Sequence, residues 1–472
     1  MKKREYLSYG VASIADSAPY GFVSVYLILF LTTVAGLSPA KAGMIFSGTI
    51  LINGLAESII GYISDNTQSK FGRRRPYLLI ALPFISLGLP LAFFTYPVGE
   101  GAKVVLYFCA TLIFWSGYGI YYTPYTALGA EISRDYDQRS TLRSYARIFG
   151  ILGNIISMVL PLTIVQKLGE RGIKEETGWF LVAVGITIIA CVSIFWTWKA
   201  MAGKEEVFIG EKEKRKLPLL KIIKEYWSIM KLHPFKYLVM VVLLFMIANT
   251  LYNSTMVFYT RNILGIKDNV AATIFMISMI ANIIYMPFIG WFSKQFGKKK
   301  VMVICFALSG MGCLFMALWG VSTYAELIVF VCIFSIAYAC YWQLFNSILY
   351  DISEVGQYVL GKRVEGSITS VNSIIIAVGM AAASQFLGWI MKASGYDANL
   401  SIQGEGALKA IEFLFLVGPG ICLILGGIVL ATYPVNKERF NLLKSAIAQR
   451  DRGELPDETK LQKIIGKKTT RG

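Results

Sequence analysis

Long apolar runs separated by short polar breaks extend along the whole chain of 472 residues. Each run lies in a segment close to the roughly 20 residues that a helix needs to cross a bilayer. In hydrocarbon every backbone polar group needs an internal partner, so the pattern predicts twelve transmembrane helices. The clearest runs are 22–34, 77–96, 104–120, 180–198, 237–247, 301–319, 327–340 and 411–432, and weaker ones are 42–63, 145–165, 271–292 and 368–390.

One loop pattern occurs twice. Residues 71–75 (FGRRR) follow the second predicted span, and residues 296–300 (FGKKK) follow the eighth. The pattern predicts an all-α membrane protein with two pseudo-symmetric six-helix bundles, an arrangement typical of transporters. The predicted domains are an N-terminal bundle (1–199), a cytoplasmic loop with an amphipathic helix over 212–231 (200–235), a C-terminal bundle (236–434) and a basic cytoplasmic tail (435–472).

Composition and charge support the membrane interpretation. The chain is 55% hydrophobic and 16% charged, whereas soluble proteins carry roughly 25% charged residues. Most of the 46 Lys and Arg residues fall on one predicted side, which predicts cytoplasmic N- and C-termini. The net charge of +17 then predicts contact with anionic lipids rather than nucleic acid. With a single histidine and no Gly-rich phosphate loop, no enzyme, metal site or cofactor is expected.

The two basic triplets have two possible roles. Three adjacent cations cannot enter the bilayer, so the triplets could simply fix the topology. Alternatively, they could form ion pairs that hold the cytoplasmic side closed and break during transport. The residues of this predicted cytoplasmic gate are Asp65, Arg73, Arg74, Arg75, Glu131, Asp351 and Glu354.

Ionisable residues inside predicted spans are functional hypotheses, because charge at bilayer depth is costly. Glu57 lies one helical turn after Asn53, so both share a face that could hold a small cation or, through Glu57 alone, a proton. A structural pair between Glu57 and Arg147 is the alternative. Asp16, one turn before Tyr20, is a candidate for binding sugar hydroxyls, for carrying the ion or for a structural role.

The segment from Gly61 to Tyr77, with its Asp-Asn-Thr and Gly-Arg-Arg-Arg-Pro motifs, resembles the glycoside–pentoside–hexuronide:cation symporters. This melibiose-permease group belongs to the major facilitator superfamily, and the resemblance extends from Leu7 to the twelfth span. It implies the major facilitator fold and a multi-pass transporter in the cytoplasmic membrane that moves a sugar together with Na⁺, Li⁺ or H⁺.

The resemblance also implies a cation site that this sequence has altered. Asn53 and Glu57 occupy positions where the group carries two aspartates. Ala56 and Gly119 replace two further polar residues of the group. The remaining ligands are one carboxylate and one amide, so coupling to H⁺ is favoured over Na⁺, with loss of tight coupling left open.

Positions on five spans match sugar-binding positions of the group. Ser17 aligns with an acidic residue and has Asp16 beside it, and Trp342 keeps the group's spacing to Asp351. The aromatic fourth span suits sugar recognition, although helix packing would explain it equally well. The predicted substrate-binding residues are Asp16, Ser17, Tyr20, Tyr122, Thr126, Arg147, Trp342, Asn372 and Ser373.

The sequence therefore predicts cation-coupled symport of a glycoside, pentoside or hexuronide by alternating access. The expected partners are the sugar, the coupling cation and the bilayer. Two alternatives remain: a carrier of the same fold for an amphiphile such as a lysolipid, and a membrane receptor that binds without uptake.

Overall fold

The computed structural model is helical throughout the part of the chain that it describes. The described residues are 3–65, 67, 69–132, 136–204, 219–266, 268–361, 364–398, 400, 402–451, 461 and 464. The helices are α1 (Lys3–Leu29), α2 (Pro39–Asp65), α3 (Arg75–Ala92), α4 (Glu100–Ile132), α5 (Tyr136–Asn154), α6 (Leu160–Glu170), α7 (Glu175–Ala200), α8 (Leu219–Met230), α9 (His233–Asn262), α10 (Asp268–Phe296), α11 (Lys298–Trp319), α12 (Tyr324–Leu360), α13 (Glu365–Ala393), α14 (Glu405–Glu412), α15 (Gly418–Thr432) and α16 (Lys437–Asp451).

Within the described residues, twelve helical segments are long and apolar enough to cross a membrane, which confirms the predicted number of spans. Three of them contain a π-helical turn: Phe30–Val34 ends the first span, Ile155–Val159 joins α5 to α6, and Phe413–Val417 joins α14 to α15. Helix α8 lies outside the spans. Its Ile223 and Trp227, one turn apart, are exposed. Residues 212–218 of the predicted amphipathic helix lie outside the described residues, and its amphipathic role remains a prediction.

The repeated loops share a glycine with positive φ but differ in length, since Asp65 and Arg75 bound the first and Phe296 and Lys298 bound the second. Gly72 and Gly297 adopt φ angles of +97° and +86°, a region that favours glycine. The transmembrane helices α3 and α11 start at Arg75 and Lys298, directly after these turns. The FGRRR and FGKKK motifs thus both precede a span, but Arg73 and Arg74 lie before α3 whereas all three lysines lie within α11.

The described chain divides into two compact units. Unit 1 consists of Met1–Lys216, Thr250–Met276 and Met380–Leu414, and unit 2 consists of Leu217–Asn249, Ile277–Gly379 and Phe415–Gly472. Segments of α9, α10, α13 and α14 therefore belong with the N-terminal helices in unit 1. The predicted division at 1–199 and 236–434 remains a prediction.

Buried tyrosines join α1 to α4 in the core of unit 1. The Tyr9 hydroxyl donates to the Tyr125 carbonyl at 3.1 Å, and the Tyr125 hydroxyl donates to the Tyr9 carbonyl at 3.1 Å. The Tyr121 hydroxyl donates to the Ala12 carbonyl. Each of these hydroxyl groups has a protein partner, as a site without water requires. Tyrosine can therefore fill this core despite its polar end.

Helices α2 and α13 cross closely within unit 1. A Cβ on Gly43 would lie 2.6 Å from the Ser384 carbonyl oxygen, and a Cβ on Gly388 would lie 2.5 Å from that of Pro39. Small residues allow such close backbone approach, which is how membrane helices gain packing energy. The two glycines thus make a reciprocal contact between α2 and α13.

An equally close contact between α3 and α4 supports a stability prediction. A Cβ on Gly88 would lie 2.4 Å from the Phe114 backbone nitrogen, whereas nothing lies within 4 Å of a Cβ on Gly185 in α7. We expect Gly88→Ala to cost about 1–3 kcal/mol, because the helices must separate. Thermal unfolding in detergent should show a lower midpoint for Gly88→Ala and little change for Gly185→Ala. Equal midpoints would contradict this packing.

Candidate functional site

A carboxylate within the first span is the most unusual feature of unit 1. Asp16 lies in the middle of α1, and the Tyr118 hydroxyl of α4 donates a hydrogen bond to its Oδ1 at 2.7 Å. The Tyr118 ring is buried and Asp16 is half-buried. Because Asp16 has a second oxygen and partial exposure, it can also accept hydrogen bonds from a ligand.

Tyr118, which binds this carboxylate, belongs to a cluster of four aromatic rings. The Tyr118 and Tyr122 rings stack with centroids 5.5 Å apart, and Tyr20 contacts both Trp115, at 5.6 Å, and Tyr118, at 5.5 Å. The buried Trp115 Nε1 has no hydrogen-bond acceptor among the described residues. We call these four rings the aromatic wall. It combines apolar faces with hydroxyl and N–H groups.

Sequence reasoning selected Asp16, Tyr20 and Tyr122, and the structure brings all three together. Tyr118 and Trp115, which complete the cluster, are not among the residues predicted from the sequence. The available signal was spacing, because Tyr118 lies one turn before Tyr122 and so shares its face of α4. The partner of Asp16 could not be identified without knowing how α1 and α4 are rotated.

A second polar pair lies on α2. The Asn53 Nδ2 donates to Glu57 Oε1 at 2.8 Å, whereas the buried Asn53 Oδ1 has no hydrogen-bond donor among the described residues. A Cβ on Gly119 of α4 would lie 3.0 Å from that oxygen. Glu57 also interacts electrostatically with Tyr118 and Tyr122. The α2 pair and the aromatic wall therefore form one polar region.

The other predicted residues of unit 1 have different surroundings. Ser17 lies at the crossing of α1 and α5, where a Cβ on Gly153 would be 2.9 Å from the Ser17 Cβ. The Thr126 hydroxyl is exposed and donates to the Thr123 carbonyl at 2.9 Å in its own helix. Arg147 lies on α5 with its side chain exposed.

In unit 2, Trp342 lies among aromatic rings of α9 and α12. Its ring centroid is 5.4 Å from that of Tyr341 and 6.3 Å from that of Tyr338. The Trp342 side chain is 37% exposed, so part of the indole is accessible to a ligand. Asn372 is buried and Ser373 is half-buried, both on α13.

The predicted gate residues are distributed over both units. In unit 1 the Arg74 guanidinium donates to Ser64 Oγ at 2.6 Å, and Arg75 donates through Nη2 to the Trp198 carbonyl at 2.8 Å. Arg75 thereby satisfies a carbonyl near the C-terminal end of α7. Arg73 lies half-buried in the turn, and the side chains of Asp65 and Glu131 lie outside the described residues.

In unit 2 the equivalent basic turn makes an ion pair. Lys298 Nζ lies 2.8 Å from both carboxylate oxygens of Asp351, which joins α11 to α12. Lys299 donates instead to the Tyr433 carbonyl at 2.6 Å. Glu354 lies half-buried one turn after Asp351 on α12.

Comparisons with known proteins cover nearly the whole chain. The model of a family described as MFS/sugar transport protein matches residues 8–437. The chain is 27% identical to the uncharacterized symporter YnaJ of Bacillus subtilis (strain 168), over 95% of each chain. It is 26% identical to the isoprimeverose transporter of Lactiplantibacillus pentosus, over 92% of this chain and 89% of that protein. The crystal structure of the nucleoside transporter NupG matches with a TM-score of 0.66 at 15% identity, covering 90% and 98% of the two chains.

Proposed function

The chain belongs to the MFS sugar transport protein family, and we propose that it is a proton-coupled symporter that carries a neutral glycoside or pentoside. Membership in this family makes it a multi-pass membrane transporter rather than an enzyme. Sugar binding is supported mainly by the half-buried carboxylate of Asp16, which accepts a hydrogen bond from Tyr118 within the aromatic wall.

The aromatic wall has the chemistry that a sugar requires. A sugar presents apolar C–H faces, which pack on aromatic rings, and hydroxyl groups, which need directed acceptors and donors. Asp16 supplies the acceptor, and Tyr20 and Trp115 supply hydroxyl and N–H groups. The isoprimeverose transporter, a relative over most of its length, is named for a sugar substrate.

The charges of this polar region favour a neutral sugar. Asp16 and Glu57 are both acidic and lie near the same tyrosines, so an anionic sugar would be repelled there. A neutral glycoside or pentoside is therefore favoured over a hexuronide, which is anionic. Arg147 of α5, an exposed residue, is the predicted substrate-binding cation whose contact with an anionic sugar would reverse this preference.

The ligands that the described residues of α2 and α4 bring to Glu57 support coupling to a proton. Hard cations held by oxygen ligands commonly need six or so. The α2 pair offers the Glu57 carboxylate and the Asn53 amide oxygen, and the facing position on α4 is Gly119, which has no side chain. A proton needs a single base, and Glu57 is that base. Asn53 holds the carboxylate in one orientation through its Nδ2.

Alternating access requires that the sugar site be closed to one side at a time. In unit 1 the reciprocal glycine contact joins α2 to α13, and Arg261 of α9 lies 3.5 Å from Glu175 of α7. We assign these contacts to the extracellular side, because the Lys and Arg residues concentrate on the other. They form a seal that has to separate when the transporter opens outward.

The sugar-binding role of Asp16 can be tested by equilibrium binding to purified protein. Asp16→Asn removes the charge and should weaken binding about 10- to 100-fold, since hydrogen bonds to charged groups contribute about 1.5–3 kcal/mol. Tyr118→Phe keeps the ring stack but loses the bond to Asp16, and should weaken binding about fivefold. Tyr237→Phe in α9, outside the aromatic wall, is the matched control. Binding by Asp16→Asn and Tyr118→Phe at the level of that control would contradict the assignment.

The coupling role of Glu57 can be tested in proteoliposomes. Glu57→Gln keeps the size and the hydrogen bond from Asn53 but cannot accept a proton. We expect proton-driven accumulation to disappear while exchange of labelled for unlabelled sugar continues. Glu405→Gln, at a side chain that is 82% exposed, removes a carboxylate outside this region and should accumulate normally. Unchanged accumulation by Glu57→Gln would assign coupling to another group.

A further inference from the structure

An apolar cleft lies at the surface of unit 2. It has a volume of about 570 Å³ and lies between α10 and α11, with one contact from α12. Its wall on α10 is a helical stripe with a spacing of four residues: Ile284, Phe288, Phe292 and Phe296. Its wall on α11 includes Val301, Ile304 and Leu308. The lining surface is entirely apolar, so the cleft offers nothing to a sugar or an ion.

The length of the cleft fits a lipid chain. From Ile284 to Phe296 the α10 stripe rises about 18 Å, at about 1.5 Å per residue. One leaflet contributes about half of the roughly 30 Å hydrocarbon core, so an extended acyl chain from one leaflet spans this distance. Phe288 is 59% exposed and Ile304 is 55% exposed, so the cleft opens sideways to the bilayer.

Two exposed lysines lie at one end of the cleft. Phe296 and Val301 flank the Gly297 turn, where Lys294 and Lys300 are exposed. The neighbouring Lys298 and Lys299 bind Asp351 and the Tyr433 carbonyl, so they face the protein interior. Trp291, next to Phe292 of the stripe, is exposed. Tryptophan is enriched at the level of the lipid headgroups. The apolar cleft therefore ends in a cationic rim.

We propose that this cleft is a specific site for one anionic phospholipid. One acyl chain lies along the α10 stripe, and the headgroup phosphate contacts Lys294 and Lys300. A polybasic surface attracts the anionic lipids that are concentrated in the cytoplasmic leaflet, which is the side assigned to this turn. The site is separate from the polar region of unit 1 and does not rest on the proposed function.

Lipid retention by the purified protein in detergent tests the proposal. Native mass spectrometry would measure binding of phosphatidylglycerol and, separately, phosphatidylcholine with matched acyl chains. We expect wild type to bind one phosphatidylglycerol more tightly than any phosphatidylcholine. The double variant Lys294→Gln/Lys300→Gln should lose this preference, with phosphatidylglycerol affinity falling roughly 30-fold. The control double variant, Lys392→Gln/Lys409→Gln, removes two exposed lysines from unit 1 and should bind as wild type does.

A second variant tests the cleft itself. Ile304→Trp fills the apolar wall without changing charge, so it should weaken binding of both lipids, and its thermal unfolding midpoint reports whether it folds. Equal retention of the two lipids by wild type, or equal behaviour of the two lysine double variants, would mean annular lipid only. Unchanged binding by folded Ile304→Trp would likewise overturn the proposal.

Discussion

The scarcity of water inside a bilayer determines where every polar group of this protein can lie. A carboxylate at membrane depth is tolerated only where hydrogen-bond donors or a polar cavity receive it. Asp16 meets this requirement through the Tyr118 hydroxyl, and Glu57 through the Asn53 amide. These two hydrogen bonds place both carboxylates beside the same tyrosines. The proposed sugar site and the proposed proton site are therefore neighbours.

The same requirement explains the tyrosine-rich core around the site. The hydroxyls of Tyr9, Tyr121 and Tyr125 donate to backbone carbonyls of the facing helix, so hydrogen bonds join α1 to α4. Such an arrangement fixes the rotation of α4. Tyr118 and Tyr122 are then presented to Asp16 on one face.

The features that could be predicted from the sequence are those that depend on one segment at a time. Twelve spans follow from run length, and the turns at Gly72 and Gly297 follow from a repeated motif. The pairing of Asn53 with Glu57 follows from helical spacing. Contacts between helices could not be predicted, because single-sequence periodicity does not fix how two helices face each other. Arg75 illustrates this, since its guanidinium binds the Trp198 carbonyl of a distant helix.

Our main proposal is that the aromatic wall binds a sugar whose movement is coupled to a proton at Glu57. It is tested most directly by uptake of labelled glycosides and pentosides into liposomes that contain the purified protein. A proton gradient and a sodium gradient are imposed in separate experiments. We expect concentrative uptake of the sugar under the proton gradient and none under the sodium gradient. Uptake driven by sodium alone, or no sugar uptake under either gradient, would contradict it.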